Sequence, residues 1–410
     1  MCAKRGDWGG ALQLLERATM VLSSVPEMKL QTMSRTADIY QKQGNISKEI
    51  SVRQSLMEVA AAEPGCQQYV PGAVRAASIA LLRGGEVDKA IMYNIEALQD
   101  LKDPLARLES EIVAAVILTH HPRRNNEVLG IIDGVVEECQ MERPARGGGG
   151  RGDNDNDDQE LQVAHCVGEM VRVRYYHHHS RDIDDHGTNN QEVSSSTVTA
   201  AAAAGPALAE AYSLLEGSKD IDGGVPATTT LFGGGFSLEE LAGVCLAARG
   251  SCYGALEEGS IELEEDCLNK AITRFETIDE SKEKGLFYLA NTLRSLANLR
   301  MRKGDGVVAE GLFRSVLSKL NQLPKSILVA DLRVAALRDY AVLLEKMEWN
   351  GRSRKPEADK LSLEANMIEK EIFKEGEETN MEQVGLLRNI ISFGSITDQW
   401  LLNVFGRMPF

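Results

Sequence analysis

Lys284–Pro324 reads KGLFYLANTLRSLANLRMRKGDGVVAEGLFRSVLSKLNQLP, and its pattern decides the fold. Leu286, Leu289, Leu293, Leu296 and Ala297 recur at three- and four-residue steps, which places them on one face of a helix. After Lys303-Gly304-Asp305-Gly306 the pattern starts again with Val308, Ala309, Leu312, Phe313, Val316, Leu317 and Leu320. Gly304 suits the end of the first helix, because glycine enters the left-handed region without a Cβ clash. Pro324 closes the unit, since proline is tolerated at a helix boundary and not in its interior. Ala297 and Ala309 are small enough for the two backbones to approach closely. A hairpin of this kind cannot bury its apolar face alone, so the pattern predicts a stack of similar hairpins.

These offsets resemble a tetratricopeptide repeat (TPR). That family places a small residue in the middle of helix A and a turn glycine seven residues later. An alanine follows after five more, then an aromatic or aliphatic residue four beyond it. Ala297, Gly304, Ala309 and Phe313 stand at those offsets. The resemblance implies an all-α superhelix, an α-solenoid, whose A helices line a concave face that binds protein or peptide partners.

Residues 1–144 carry the pattern repeatedly. Gly6-Asp7-Trp8 with Ala11, Leu15 and Ala18 matches a turn and a helix B. The matching helix A is absent upstream, so the reading expects either an unusual cap or a missing preceding segment. Ala37, Tyr40, Gly44 and Leu56 form the next unit, with Glu49 where alanine is usual. Val74, Ala77, Leu81, Gly85, Ala90 and Ala97 form a clearer one, closing at Pro104. A further pair, Leu105–Thr119 and Asn125–Cys139, has the hydrophobic period alone. The turn glycines Gly6, Gly44 and Gly85 lie 38 and 41 residues apart. That spacing resembles the longer-helix TPR variants of the kinesin light chain type.

Residues 145–235 break the pattern with a glycine run, an Asp/Asn tract, a Ser/Thr run and five consecutive alanines. Such composition cannot offset the entropy of ordering, and a mostly disordered linker is expected. Two islands in it, 160–176 and 207–216, have helical spacing, and each is read as an extra helix docked on the solenoid or as the continuation of a degenerate repeat. Residues 236–410 return to hairpins. Ser237-Leu238-Glu239-Glu240 is a capping-box signature. Helices are expected at 237–257 and 262–278, then in the opening unit. Ile327–Lys346, with Ala336, Tyr340 and Ala341, pairs with a helix carrying Ala358, Leu361, Ala365, Ile368 and Ile372. A basic loop over Asn350–Pro356 should separate the two. Two short helical patterns follow in 381–410.

Composition narrows the function. The chain has 410 residues, of which 43% are hydrophobic but only 5% aromatic, as suits aliphatic helix-on-helix packing. The 45 basic and 61 acidic residues give a net charge of -16, which argues against nucleic acid and anionic membrane surfaces as partners. The 7 cysteines are scattered and none form a C-x-x-C pair, so they read as reduced, buried thiols of an intracellular protein. No apolar run reaches membrane-spanning length and the N-terminus lacks a signal-peptide core, so cytoplasm or nucleus is expected.

Candidate chemistry is thin. His165, Cys166, the run Tyr175–His179, Asp184, Asp185 and His186 offer metal-type donors. Adjacent residues cannot all face one ion, and H-x-x-x-H spacing is missing, so solvated low-complexity sequence is the preferred reading and no metal or cofactor is expected. Asp153, Asp155 and Asp157 alternate like an EF-hand loop, but Asp158 and Ala164 stand where that loop needs Gly and Glu. Arg151-Gly152-Asp153 reads as a chance tripeptide, and Gly233–Gly235 as a hinge. No G-x-S-x-G or H-E-x-x-H motif is present. The resemblance adds one candidate, because some TPR proteins clamp a peptide's terminal carboxylate with basic and Asn side chains. Arg294 and Asn298, four apart on helix A, and Arg338 on the next occupy comparable places. Asp339 stands where that clamp wants Asn and should repel an acidic peptide end. Trp400 and its apolar neighbours either seal the last repeat or anchor a partner. The expectation is a non-catalytic scaffold or adaptor. The alternatives are a structural subunit of a large assembly, and an enzyme or metal protein using 160–186. Partner identity and oligomeric state are not encoded in any motif.

Overall fold

The computed structural model describes residues 7–121, 124, 126–146, 155–182, 206, 208–209, 212–213, 237–255, 260–278, 283–349 and 352–374. Fourteen helices of these residues are α1 (Trp8–Val21), α2 (Pro26–Gln43), α3 (Ile46–Ala62), α4 (Val70–Arg83), α5 (Val87–Asp100), α6 (Pro104–Leu118) and α7 (Glu127–Arg146), then α8 (Asp155–Asp182), α9 (Leu238–Ala255), α10 (Ile261–Thr277), α11 (Glu283–Arg302), α12 (Gly306–Leu320), α13 (Ile327–Lys346) and α14 (Lys355–Lys374). The fold is an all-α solenoid in which helices adjacent in sequence pack on one another as hairpins from α1 to α8 and again from α9 to α14. Inner helices also meet their counterparts in the next hairpin, α4 with α6, α6 with α8, α9 with α11 and α11 with α13. The array curls far enough for α13 to touch α2.

Three turns show why the sequence folds this way. Gly44, Gly85 and Gly304 have φ of 73°, 79° and 81°, a region open to glycine at no steric cost. At each, the next residue's N–H reaches back into the ending helix: Asn45 to Tyr40 O, Glu86 to Leu81 O and Asp305 to Arg300 O, all at 2.9 Å. This is the Schellman ending, which satisfies carbonyls a helix would otherwise leave open. At the other end of the fold's vocabulary, the Ser237 hydroxyl accepts from Glu240 N–H at 3.1 Å and starts α9 as the capping signature predicts.

Six of the outer helices share one structurally special position. It donates the first intrahelical hydrogen bond to the capping residue, and the inner helices press against it. Ala11, Glu49, Ala90, Glu264, Ala309 and Ala358 occupy this slot, bonding Asp7, Asn45, Glu86, Ser260, Asp305 and Arg354 respectively. Ala90, Ala309 and Ala358 are fully enclosed there, as is Ala297 on the inner helix α11. Phe313 is fully buried and stacks on Tyr340 of α13 with ring centroids 5.6 Å apart. Burying such a side chain stabilises by about 1.5–3 kcal/mol, so these contacts fix the register of one hairpin on the next. Ala37, Ala77, Ala341 and Ala365 are likewise buried, while Ala97 is half-buried.

One place extends the sequence expectation and another differs from it. The island 160–176 is the middle of α8, a 28-residue helix that packs on α6 and α7. Its Leu161, Ala164, Cys166, Val167, Met170 and Val171 belong to one core cluster that runs from Ile79 of α4 to Ala336 of α13. The blocks 1–144 and 236–410 therefore meet through this helix. Residues 206, 208, 209, 212 and 213 of the second island are helical, with Leu208 buried in the same cluster. Apart from the end of α7, helix α8 and these five positions, residues 145–235 lie outside the described residues. The basic loop before α14 is a two-residue antiparallel ribbon, Glu348–Trp349 with Arg352–Ser353, and Pro356 already sits in the first turn of α14.

Candidate partner-binding surface

Arg294 and Asn298 are one helical turn apart on α11, so their side chains leave the same face. They converge on Asp339 of α13. Arg294 Nε donates to Asp339 Oδ2 at 2.7 Å, and Asn298 Nδ2 donates to the same oxygen at 2.8 Å. An internal carboxylate thus sits where the clamp reading would place a peptide's. Asp339 does more than repel a ligand at this place: it occupies the donors itself. Asn298 Oδ1 is buried without a hydrogen-bond partner.

Arg338 is turned to the outer helix, donating to Glu369 Oε2 of α14 at 2.6 Å. Two turns before Asp339, Asp331 is half-buried, and burial pushes its carboxyl up to about 7. Arg294 and Arg338 pull it down and Glu369 pushes it up, but loss of water is the larger effect. Trp400, the fourth sequence candidate, lies outside the described residues.

The crossing between inner helices recurs elsewhere. Arg75 stands ten residues before Gly85, as Arg294 stands ten before Gly304. Its guanidinium pairs with Glu109 of α6, again one inner helix to the next. Two crossings between inner helices are therefore tied by an Arg–carboxylate pair whose arginine stands at the same distance from the turn glycine.

A second set of charged pairs joins outer to inner helices. Glu49, in the slot where alanine is usual, is fully buried and pairs with Arg83, two residues before Gly85. Glu264 occupies the same slot on α10 and pairs with Arg302, two residues before Gly304. Burial raises both carboxyls, while their arginines pull them down. Beside the Ala309 slot, Glu310 accepts from Arg354 at 2.7 and 3.0 Å and from the Tyr340 hydroxyl at 3.0 Å. These hydrogen bonds hold its carboxyl below the usual range. Glu49 is conspicuous in the sequence, whereas its partner is not. The detectable signal is the arginine two residues before the next turn glycine.

The metal-type donors among the described residues are spread along α8. His165 and Cys166 are buried on α8, and Asp155 and Asp157 lie in its first turn rather than in a loop. His177–His179 fall near its C-terminal end, while Asp153, Asp184, Asp185, His186 and Gly233–Gly235 lie outside the described residues. Among the described residues, no group of three or more His, Cys, Asp or Glu side chains is placed to hold a metal ion. Among the same residues, no helix is long and apolar enough to cross a membrane.

These features define an all-α array of stacked helical hairpins with charged seams. Compared with known proteins, the chain matches no family model and no curated protein.

Proposed function

We propose that this chain is a non-catalytic scaffold or adaptor of the TPR kind, binding protein or peptide partners along its row of inner helices. The observation that carries the reading is the row itself: inner helices lie side by side from α4 through α6 to α8 and from α9 through α11 to α13, and the Arg294–Asp339 crossing is partly open to solvent. Stacked hairpins generate extended surfaces of this type, which suit elongated partners. Because Asp339 already engages Arg294 and Asn298, the reading favours partners that bring cations to Asp331 and Asp339 over partners that bring a carboxylate. The net charge of -16 fits that preference. Affinity capture on the full-length chain, followed by mass spectrometry, tests it. Asp331→Ala and Asp339→Ala on the inner row should each reduce a captured partner at least about tenfold, while Lys319→Ala on α12 should not. Equal capture by all three variants would sink the reading.

A second reading, a fixed subunit of a larger assembly, has its own support at the two ends of the array. On α1, Met20 and Val21 are each 77% exposed, and on α14 Leu363 and Met367 are 61% and 64% exposed. Apolar ends of this kind suit end-on contacts. Co-purification at constant stoichiometry, lost on Val21→Asp or Met367→Asp and untouched by the inner-row variants, would favour it.

A further inference from the structure

We propose that Cys166 and Cys245 form an oxidisable thiol pair, and that their disulfide is a covalent tie between α8 and α9. The two residues are 79 positions apart in the chain, yet their sulfurs lie 3.2 Å from each other. Met170, one turn after Cys166, places its thioether 3.5 Å from Cys245 Sγ and backs the pair. All three side chains are fully enclosed in the core cluster that links the two parts of the array. A disulfide has sulfurs about 2.0 Å apart, so the pair must close by about 1.2 Å to bond.

The co-reactant is a small disulfide such as oxidised glutathione. The thiolate of one cysteine attacks a glutathione sulfur. A mixed disulfide forms, and the first glutathione leaves as a thiolate that takes up a proton. The second cysteine, deprotonated in turn, attacks the protein-side sulfur of that mixed disulfide. The Cys166–Cys245 bond forms and the second glutathione departs. Two protein thiols are oxidised and one glutathione disulfide is reduced to two thiols.

Burial decides when this happens. Enclosure holds the Cys166 thiol well above its usual range, with Cys245 adding to the effect. A protonated thiol in an apolar core is inert, and glutathione cannot reach it. Reaction therefore follows separation of α8 from α9, which exposes both sulfurs together, and reclosure returns them to bonding range. The pair converts a transient opening of the array into a lasting link. Nothing in this step depends on partner binding.

The test uses the full-length chain carrying an added protease site between Gly223 and Gly224, within the 79-residue interval. After incubation with oxidised glutathione and cleavage, the two fragments should run together without reductant and separate with it. Peptide mapping of the unaltered chain should find Cys166 joined to Cys245. The Cys166→Ser and Cys245→Ser variants, checked for unchanged helical content by circular dichroism, should each abolish the link. Sub-denaturing urea should speed its formation at least about tenfold, as should a rise in pH by one unit. The proposal is overturned if both thiols stay free in sub-denaturing urea, if another cysteine takes either place, or if the rate ignores urea.

Discussion

On α5 the slot beneath the helix cap holds Ala90, and a methyl group fills the space between hairpins. On α3 the same slot holds Glu49, and the space is filled by a carboxylate and the guanidinium of Arg83. Both residues are fully enclosed. The difference shows that close backbone approach is one solution to stacking and not a requirement of it. A longer side chain is admitted when the next hairpin supplies its counter-charge. The alanine seam is self-sufficient, whereas the glutamate seam is complete only when two hairpins meet. A buried pair of this kind adds little net stability over an apolar filling, but breaking one half is costly, because a charge is left without water or partner.

The largest effect should therefore come from Arg83→Ala, which strands Glu49. Urea unfolding should show a loss of about 3–5 kcal/mol. The double replacement Glu49→Ala with Arg83→Met copies the Ala90 seam and should lie within about 1 kcal/mol of wild type. If the single and double variants unfold alike, the pair has no special status. Ala90→Glu asks the converse question at a seam that has its methyl group. It should cost about 3 kcal/mol or more, since no compensating arginine is introduced. A tolerated Ala90→Glu would erase the distinction between the two seams.

A third test concerns Asp331, whose folded carboxyl titrates at about 7 against 3.8 for the ordinary group. Between those values the folded chain holds a proton that the unfolded chain has released. Its contribution to stability is thus fully present below about 4 and is lost as pH rises through about 7. Asp331→Asn should flatten that part of the pH–stability curve. It should exceed wild type at pH 8 by up to about 4 kcal/mol, because each pH step of one between 3.8 and about 7 removes about 1.36 kcal/mol from the wild type. Thermal melts from pH 4 to 8 check this, and parallel curves for the two proteins would remove Asp331 as the cause. The smallest effect belongs to Gly304→Ala. Nothing lies within 4 Å of an added Cβ, so only the φ of +81° opposes it. A loss of about 1 kcal/mol is expected, in contrast to Gly243→Ala, whose Cβ would meet Phe275 at 2.6 Å.

Much of this architecture can be read from the chain. Turn glycines at Gly44, Gly85 and Gly304 and the leucine spacing of α11 encode local geometry, which sequence carries directly. The helix α13 begins and ends where the pattern places it, at Ile327 and Lys346. Helix α8 is obscured because its polar and histidine-rich ends mask a central part that is buried on several faces. The helical spacing of 160–176 is legible, but enclosure on several faces leaves no one-sided period to show the helix's length or where it docks. The Arg294–Asn298 pair is legible as a spacing. Its engagement by Asp339 is not, because that contact joins two helices across 41 to 45 positions of sequence. The pairing of Glu49 with Arg83 is hidden for the same reason, although Glu49 itself is conspicuous where alanine is usual.

The charged seams also bear on how such an array can be rebuilt. Glu49 waits for an arginine that only the following hairpin provides, and Glu264 does the same. Following either glutamate with a unit that lacks an arginine two residues before its turn glycine would leave a carboxylate facing a neighbour that lacks its answer. The order of the hairpins is thus written into which unit can follow which, and modules from this chain are not interchangeable bricks.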